Sequence, residues 1–177
     1  MKQLLCILAI AVSACLPADD AAIIDGPNYA FTISAPKGWK LTSPKDLQAA
    51  FNPEGTSFDK SPVVMYVRPA DKQQLHVTSV AELNRLDLKG IRQQHPAATS
   101  QQIGTIVTTL GIEIPLYSFS GGGFSELVAY INHPKTITVF VLSADTDDRL
   151  KSARQSFDEL LSSYVALDPG AKAKKKP

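Results

Sequence analysis

At 177 residues and 44% hydrophobic, the chain is long enough for one domain, and a folded part of about 145 residues buries roughly 68% of its unfolded surface without covalent staples. The formal charge of +1 hides an asymmetry: setting aside Lys2 and the tail lysines Lys172, Lys174, Lys175 and Lys176 leaves 13 basic against 17 acidic residues, a balance of −4. That excludes a nucleic-acid surface, which needs clustered cations, and with both cysteines, Cys6 and Cys15, near the N-terminus the folded part has no disulfide and no thiolate metal site.

Met1-Lys2-Gln3 is a short basic start, and Leu4 to Val12 is an apolar run too short for a membrane helix, which needs ~20 residues. With its small-residue exit Val12-Ser13-Ala14 it reads as a secretory signal. Val12-Ser13-Ala14-Cys15 resembles the lipobox of bacterial lipoproteins. That resemblance implies cleavage between Ala14 and Cys15, with Cys15 becoming the lipid-modified N-terminus. An ordinary signal cut nearby, leaving Cys15 a free thiol, is the alternative. Lipidation would matter, since each buried methylene adds ~0.8 kcal/mol and two chains anchor where one barely does. The organisation expected is a signal over residues 1–14, a polar tether over 15–28, one domain over 29–167, and a disordered Lys-rich tail over 168–177.

Tyr29 to Ile33 alternates as a strand, Ala35-Pro36-Lys37-Gly38 turns, and Trp39-Lys40-Leu41 begins a return strand, a hairpin that buries Trp39. Ser43-Pro44-Lys45-Asp46 has the form of a helix start, with Leu47, Ala50 and Phe51 on one face and Asn52-Pro53 as the stop. Pro62 to Pro69 is apolar on both faces and hence a central strand, with Arg68 solvated at its end. Ser79 and Glu82 form a capping box for a helix whose inner side is Val80, Leu83, Leu86, Asp87, Gly90 and Ile91. Gly90 weakens that helix by ~1 kcal/mol, which predicts a close approach to the sheet there.

Gln101 to Leu110 and Ile112 to Phe119 are two strands joined through Gly111, and Pro115 in the second implies an edge or a bulge. Leu127, Ala129 and Ile131 alternate with Val128 and Tyr130. After the break Asn132 to Lys135, Ile137, Val139 and Val141 alternate with Phe140 and Leu142. Period two on both sides of a turn is a hairpin, and apolar groups on both its faces demand cover on both sides. The following helix supplies one cover: Leu150, Ala153, Phe157, Leu160, Leu161 and Tyr164 form a stripe, with Asp145 as the expected N-cap and Asp148 at the third helical position.

This order of elements resembles the PsbP-type family of photosystem accessory proteins and the related DcrB-like bacterial lipoproteins. The resemblance runs from about Tyr29 to Val165 and rests on Phe31-Thr32-Ile33-Ser34-Ala35-Pro36-Lys37-Gly38-Trp39 and on Ser61-Pro62-Val63-Val64-Met65-Tyr66-Val67 before a capped helix. It implies an α+β fold, a three-layer α-β-α sandwich around a mainly antiparallel sheet of about six to seven strands, and a role in binding other proteins without catalysis. The photosystem role does not carry over, because the N-terminus lacks the character of a plastid transit peptide.

No catalytic, cofactor or metal constellation emerges. His76, His95 and His133 lack zinc-helix spacing. Ser120 precedes Gly121-Gly122-Gly123 but lacks the flanking glycine and the strand-to-helix turn of a nucleophile elbow, and those glycines lack the Lys-Ser/Thr of a P-loop. Asp145, Asp147 and Asp148 lack the glycine and distal glutamate of a calcium loop, and serve as cap and dipole charges. The expectation is therefore an exported, lipid-anchored, non-catalytic accessory module on the periplasmic side of the cell envelope. It would have no cofactor and no nucleic acid. Its partners would be an envelope protein of unstated identity and the membrane through Cys15. A carrier for a small apolar ligand is the alternative, distinguished by an enclosed cavity; a hydrolase has least support.

Overall fold

The computed structural model describes residues 21–26 and 28–167. In chain order its elements are β1 (Ala21–Gly26), β2 (Tyr29–Ser34), β3 (Trp39–Thr42), β4 (Ala49–Pro53), β5 (Val63–Asp71), α1 (Lys72–Leu75), α2 (Val80–Ile91), β6 (Thr99–Val107), β7 (Glu113–Gly121), β8 (Phe124–Asn132), β9 (Thr136–Ala144), α3 (Asp147–Ser162) and β10 (Val165–Ala166). Seven strands form one antiparallel sheet in the order β3-β4-β5-β9-β8-β7-β6, and three form a second in the order β1-β2-β10.

The β8–β9 hairpin is the middle of the large sheet. Its register sets Leu127 opposite Leu142, Val128 opposite Val141 and Ala129 opposite Phe140. Because side chains alternate between faces, Leu127, Ala129, Ile131, Phe140 and Leu142 join one core, which α3 and the small sheet cover. Val128, Tyr130, Ile137, Val139 and Val141 join another, which α2 covers. The molecule is thus the expected α-β-α sandwich, with one outer layer made of a helix and a small sheet side by side.

On α3, Leu150, Ala153, Phe157, Leu160, Leu161 and, just beyond it, Tyr164 are all buried, as the stripe predicted. Its N-cap is Thr146, one residue after the expected Asp145, with the hydroxyl accepting the Arg149 N–H at 3.4 Å. Asp145 instead pairs with the Arg149 side chain. On α2, the Ser79 hydroxyl accepts the Glu82 N–H at 3.2 Å, and the Glu82 carboxylate accepts the Thr78 N–H at 2.6 Å. The capping box therefore closes one residue earlier than its usual form. Leu83 is fully buried, but Leu86 is 39% exposed; Leu88 joins Val80 and Ile91 on the inner side in its place. Gly90 is exposed, with nothing within 4 Å of where a Cβ would stand, so no close approach explains it.

Three further expectations are corrected. Ala49–Pro53, read as the end of a short helix, is a strand between β3 and β5, with Ala49 through Asn52 all fully buried. Pro44 starts only a turn, in which Leu47 N–H reaches the Pro44 carbonyl at 3.1 Å; pairing on both sides overrides the local helix-start signal. β2 and β3 do not form a hairpin: β2 pairs with β1 and β10, β3 pairs with β4, and the turn between them carries the chain from one sheet to the other. Trp39 is nonetheless buried. Ala21–Gly26, expected within the tether, is a strand registered along the whole of β2, so the folded part begins at least eight residues before Tyr29. Pro115 stands, as expected, where β7 is locally an edge. The irregularity is in β6, between Gln102 and Gly104, and Pro115 sits just past the last β7–β8 pair, Leu116 with Ala129, where its missing N–H costs no bond to β8.

Candidate functional site

Helix α2 has 12 residues and is ~18 Å long, whereas the nine-residue strands beneath it run ~30 Å. It cannot cover its whole face of the sheet. Leu83 is the only α2 residue fully withdrawn from solvent, so polar ties do much of the holding. Arg68 Nη2 on β5 donates to Asp87 Oδ1 at 2.6 Å, and the Tyr130 hydroxyl on β8 donates to Asp87 Oδ2 at 3.0 Å. Asn84 and Ser100 exchange hydrogen bonds at 2.9 and 3.1 Å between α2 and β6. Arg68, expected to be solvated, is therefore the cation of a part-buried pair. Nothing in its own neighbourhood of sequence signals this, because its partner lies 19 residues away.

With both Asp87 oxygens occupied, the carboxyl of this face that no cation pairs with directly is Glu126. It stands half-buried on β8, opposite Ser143 on β9 and Phe119 on β7. Burial pushes it up to about 7, against the pull of Ser143 and Arg68, while Asp87 pushes it further up. Burial and the Glu126 charge hold the Tyr66 phenol well above its usual value; burial, then Asp87, does the same to Tyr130. Partly buried Tyr66, Tyr117 and Phe124 pack against this side of the core, with Tyr117 edge-on to Tyr130 at 5.5 Å. The result is an aromatic and ionisable patch beside α2. Sequence reasoning missed it; the one available signal was the acidic residue among the apolar alternation of β8.

The residues singled out from the sequence do not converge. His95 stacks on Phe124 at 4.8 Å between ring centres. His133 lies at the far end of β8, where its Nε2 stands 3.1 Å from the Tyr164 hydroxyl, and burial and Lys72 lower its pKa. His76 adopts φ 54° after α1. Gly121, Gly122 and Gly123 carry φ of 121°, 65° and 77° in the β7–β8 turn, the left-handed region that glycine tolerates. Among the described residues no three His, Cys, Asp or Glu side chains gather in a metal-binding group, and no helix is long and apolar enough to cross a membrane. Ala14, Cys15 and the lysine tail lie outside the described residues.

Open grooves mark the surface of the described residues. One of about 390 Å³ is lined by Tyr29, His133, Lys135 and Leu167 among others. A second, about 360 Å³, runs between α3 and β6–β8 past Ile103, Leu127 and Leu150. A third, about 340 Å³, lies beside Ser120, Gly121 and Asp145. All three open to solvent. Between the large sheet and its α3 layer, by contrast, Phe31, Phe140, Phe157 and Tyr164 are fully buried, with Phe31 and Tyr164 rings 5.2 Å apart.

A three-layer α+β sandwich around a seven-stranded antiparallel sheet, with an ionisable patch on the short-helix face, is the class this chain defines. Among solved structures, cyanobacterial PsbP (CyanoP) from Synechocystis sp. PCC 6803 superposes with a TM-score of 0.51 at 14% identity, over 89% of this chain and 99% of that one. LpqN, a protein involved in cell envelope biogenesis of Mycobacterium tuberculosis, also superposes with a TM-score of 0.51, at 12% identity over 84% and 91% of the two chains. The fold is thus PsbP-like. No protein-family profile matches the chain, and no curated protein sequence matches it.

Proposed function

We propose that this chain is an exported, lipid-anchored, non-catalytic accessory module that binds another protein of the bacterial cell envelope. The observation that carries the reading is the contrast between a filled interior and a partly uncovered polar and aromatic face. A carrier for an apolar ligand needs enclosed space of some hundreds of Å³, and the layer where it would lie is occupied by Phe31, Phe140, Phe157 and Tyr164. Partly buried Tyr66, Tyr117 and Phe124 beside Glu126 have the composition of a docking surface, where aromatic anchors sit among polar groups. Asp87 is saturated by Arg68 and Tyr130, and Glu126 is tied to Ser143 on the neighbouring strand. The LpqN fold and the Val12-Ser13-Ala14-Cys15 segment add support for the envelope address.

Two measurements test it. Intact-mass spectrometry of the membrane fraction is expected to find diacylglycerol on Cys15, and Cys15→Ser to release the chain; an unmodified, released wild-type chain would overturn the anchor. Crosslinking in intact cells from a photoreactive group at position 66 is expected to capture one envelope protein, with loss of capture on Glu126→Lys. Capture indifferent to that charge reversal would remove the patch from the interface.

A further inference from the structure

The large sheet ends in two unlike edges. One edge, β3, is four residues long and carries exposed Lys40, two of the ordinary protections against pairing with another chain. The other, β6, is nine residues long and almost wholly exposed. No Asp, Glu, Lys or Arg occurs between Arg92 and Glu113. Its apolar side chains face water: Ile103 is 44% exposed, Val107 56%, and Leu110 just beyond the strand 62%. The one safeguard present is the irregularity between Gln102 and Gly104, which leaves Gly104–Val107 as a regular run.

The open hydrogen-bonding groups of that run can be placed. Thr108 N–H reaches the Ile112 carbonyl at 2.9 Å, so by the alternation of an antiparallel ladder the pairs Thr105 with Pro115 and Val107 with Glu113 are the ones that exchange no bonds. The N–H and C=O of Thr105 and Val107 therefore point away from β7, toward solvent.

We propose that β6 pairs with β6 of a second copy of this chain, antiparallel about a two-fold axis at Ile106, joining the two large sheets edge to edge. This register sets Thr105 of each copy opposite Val107 of the other, so the outward groups of both residues are used, and sets Ile106 against its own counterpart. A two-fold axis sets any charge close to it beside an identical one, and here none lies on the strand to be opposed. Within the sheet the nearest charges, Glu113 of each copy, lie about three strand spacings apart, ~14 Å, beyond the ~8 Å screening length. The same operation on β3 would bring two Lys40 side chains together. A neutral strand is the partner that a neutral, self-complementary edge fits.

The test uses the full chain, in detergent and as the Cys15→Ser variant so that lipid does not drive association. Sedimentation equilibrium is expected to find twice the chain mass. Thr105→Glu alone and Val107→Lys alone, both at exposed positions, each place like charges diagonally across the axis and are expected to weaken the dimer at least tenfold. Mixing the two variants places Glu opposite Lys and is expected to restore association. A wild-type monomer at all concentrations, singles that remain dimeric, or a mixture that fails to associate while both variants keep the wild-type melting profile would each overturn the proposal, as would association only with a different protein.

Discussion

Replacing Glu126 by Gln isolates the most perturbed carboxyl of the sheet face. In the folded chain this group holds its proton up to about 7, against an ordinary value of 4.5. Between those values the folded state is protonated where the unfolded chain is not, so stability is fully present below about 4.5 and is lost as pH rises to about 7. The gap, at ~1.4 kcal/mol per pH unit, sets a ceiling of ~3.4 kcal/mol; because Glu126 is only partly buried, screening by water reduces this to ~1.5 kcal/mol. Glu126→Gln keeps the shape and never carries the charge. It should therefore match wild type near pH 4.5 and exceed it by ~1.5 kcal/mol at pH 8, which is ~3–6 °C in Tm for a chain of this size. His133 titrates with the opposite sign: its lowered pKa adds stability above the ordinary histidine range that is lost on acidification. It is common to both proteins and cancels in their difference. Urea melts of the pair at several pH values measure this directly. A difference that stays constant from pH 4.5 to pH 8, or a wild-type carboxyl titrating near 4.5 by NMR, would refute the argument.

Asp87→Asn removes the charge that Arg68 pairs with while keeping an acceptor for Tyr130. It should cost about 1–3 kcal/mol in urea melts, and hydrogen exchange should rise in α2 before it does in α3. Gly90→Ala should stabilise by about 0.5–1 kcal/mol in the same assay, since the position is helical, exposed and clear of neighbours. Gly121→Ala should do the reverse, because its φ of 121° is hostile to a side chain and an added Cβ would meet the Ala97 carbonyl; a loss of more than ~1 kcal/mol is expected, read as a lower melting temperature.

The central hairpin and α3 were legible because burial on both faces of a strand and on one stripe of a helix writes a period into consecutive residues. Leu127 to Ile131, Ile137 to Leu142 and Leu150 to Tyr164 each carry that period. What stayed hidden depended on partners distant in the chain. Ala49–Pro53 has a helix-start motif just before it, and only its place between β3 and β5 makes it a strand. Ala21–Gly26 and Val165–Ala166 are too short to show a pattern, and both are defined by pairing with β2. The ionisable patch was least visible of all. Tyr66, Arg68, Asp87, Glu126 and Tyr130 come from three elements; Arg68 reads locally as a strand end and Asp87 as part of a helix's inner side, and nothing local to either points to the other.

The early start of β1 has a mechanical corollary. Between Cys15 and Ala21 stand five residues, Leu16 to Asp20, whose fully stretched reach, counting the joints at either end, is ~20 Å. That is shorter than one of the nine-residue strands, ~30 Å. A domain moored at Cys15 would ride on a leash shorter than its own breadth, hugging the bilayer with the β1-β2-β10 side held nearest. Its orientation toward anything diffusing past would then be set by where that leash is tied.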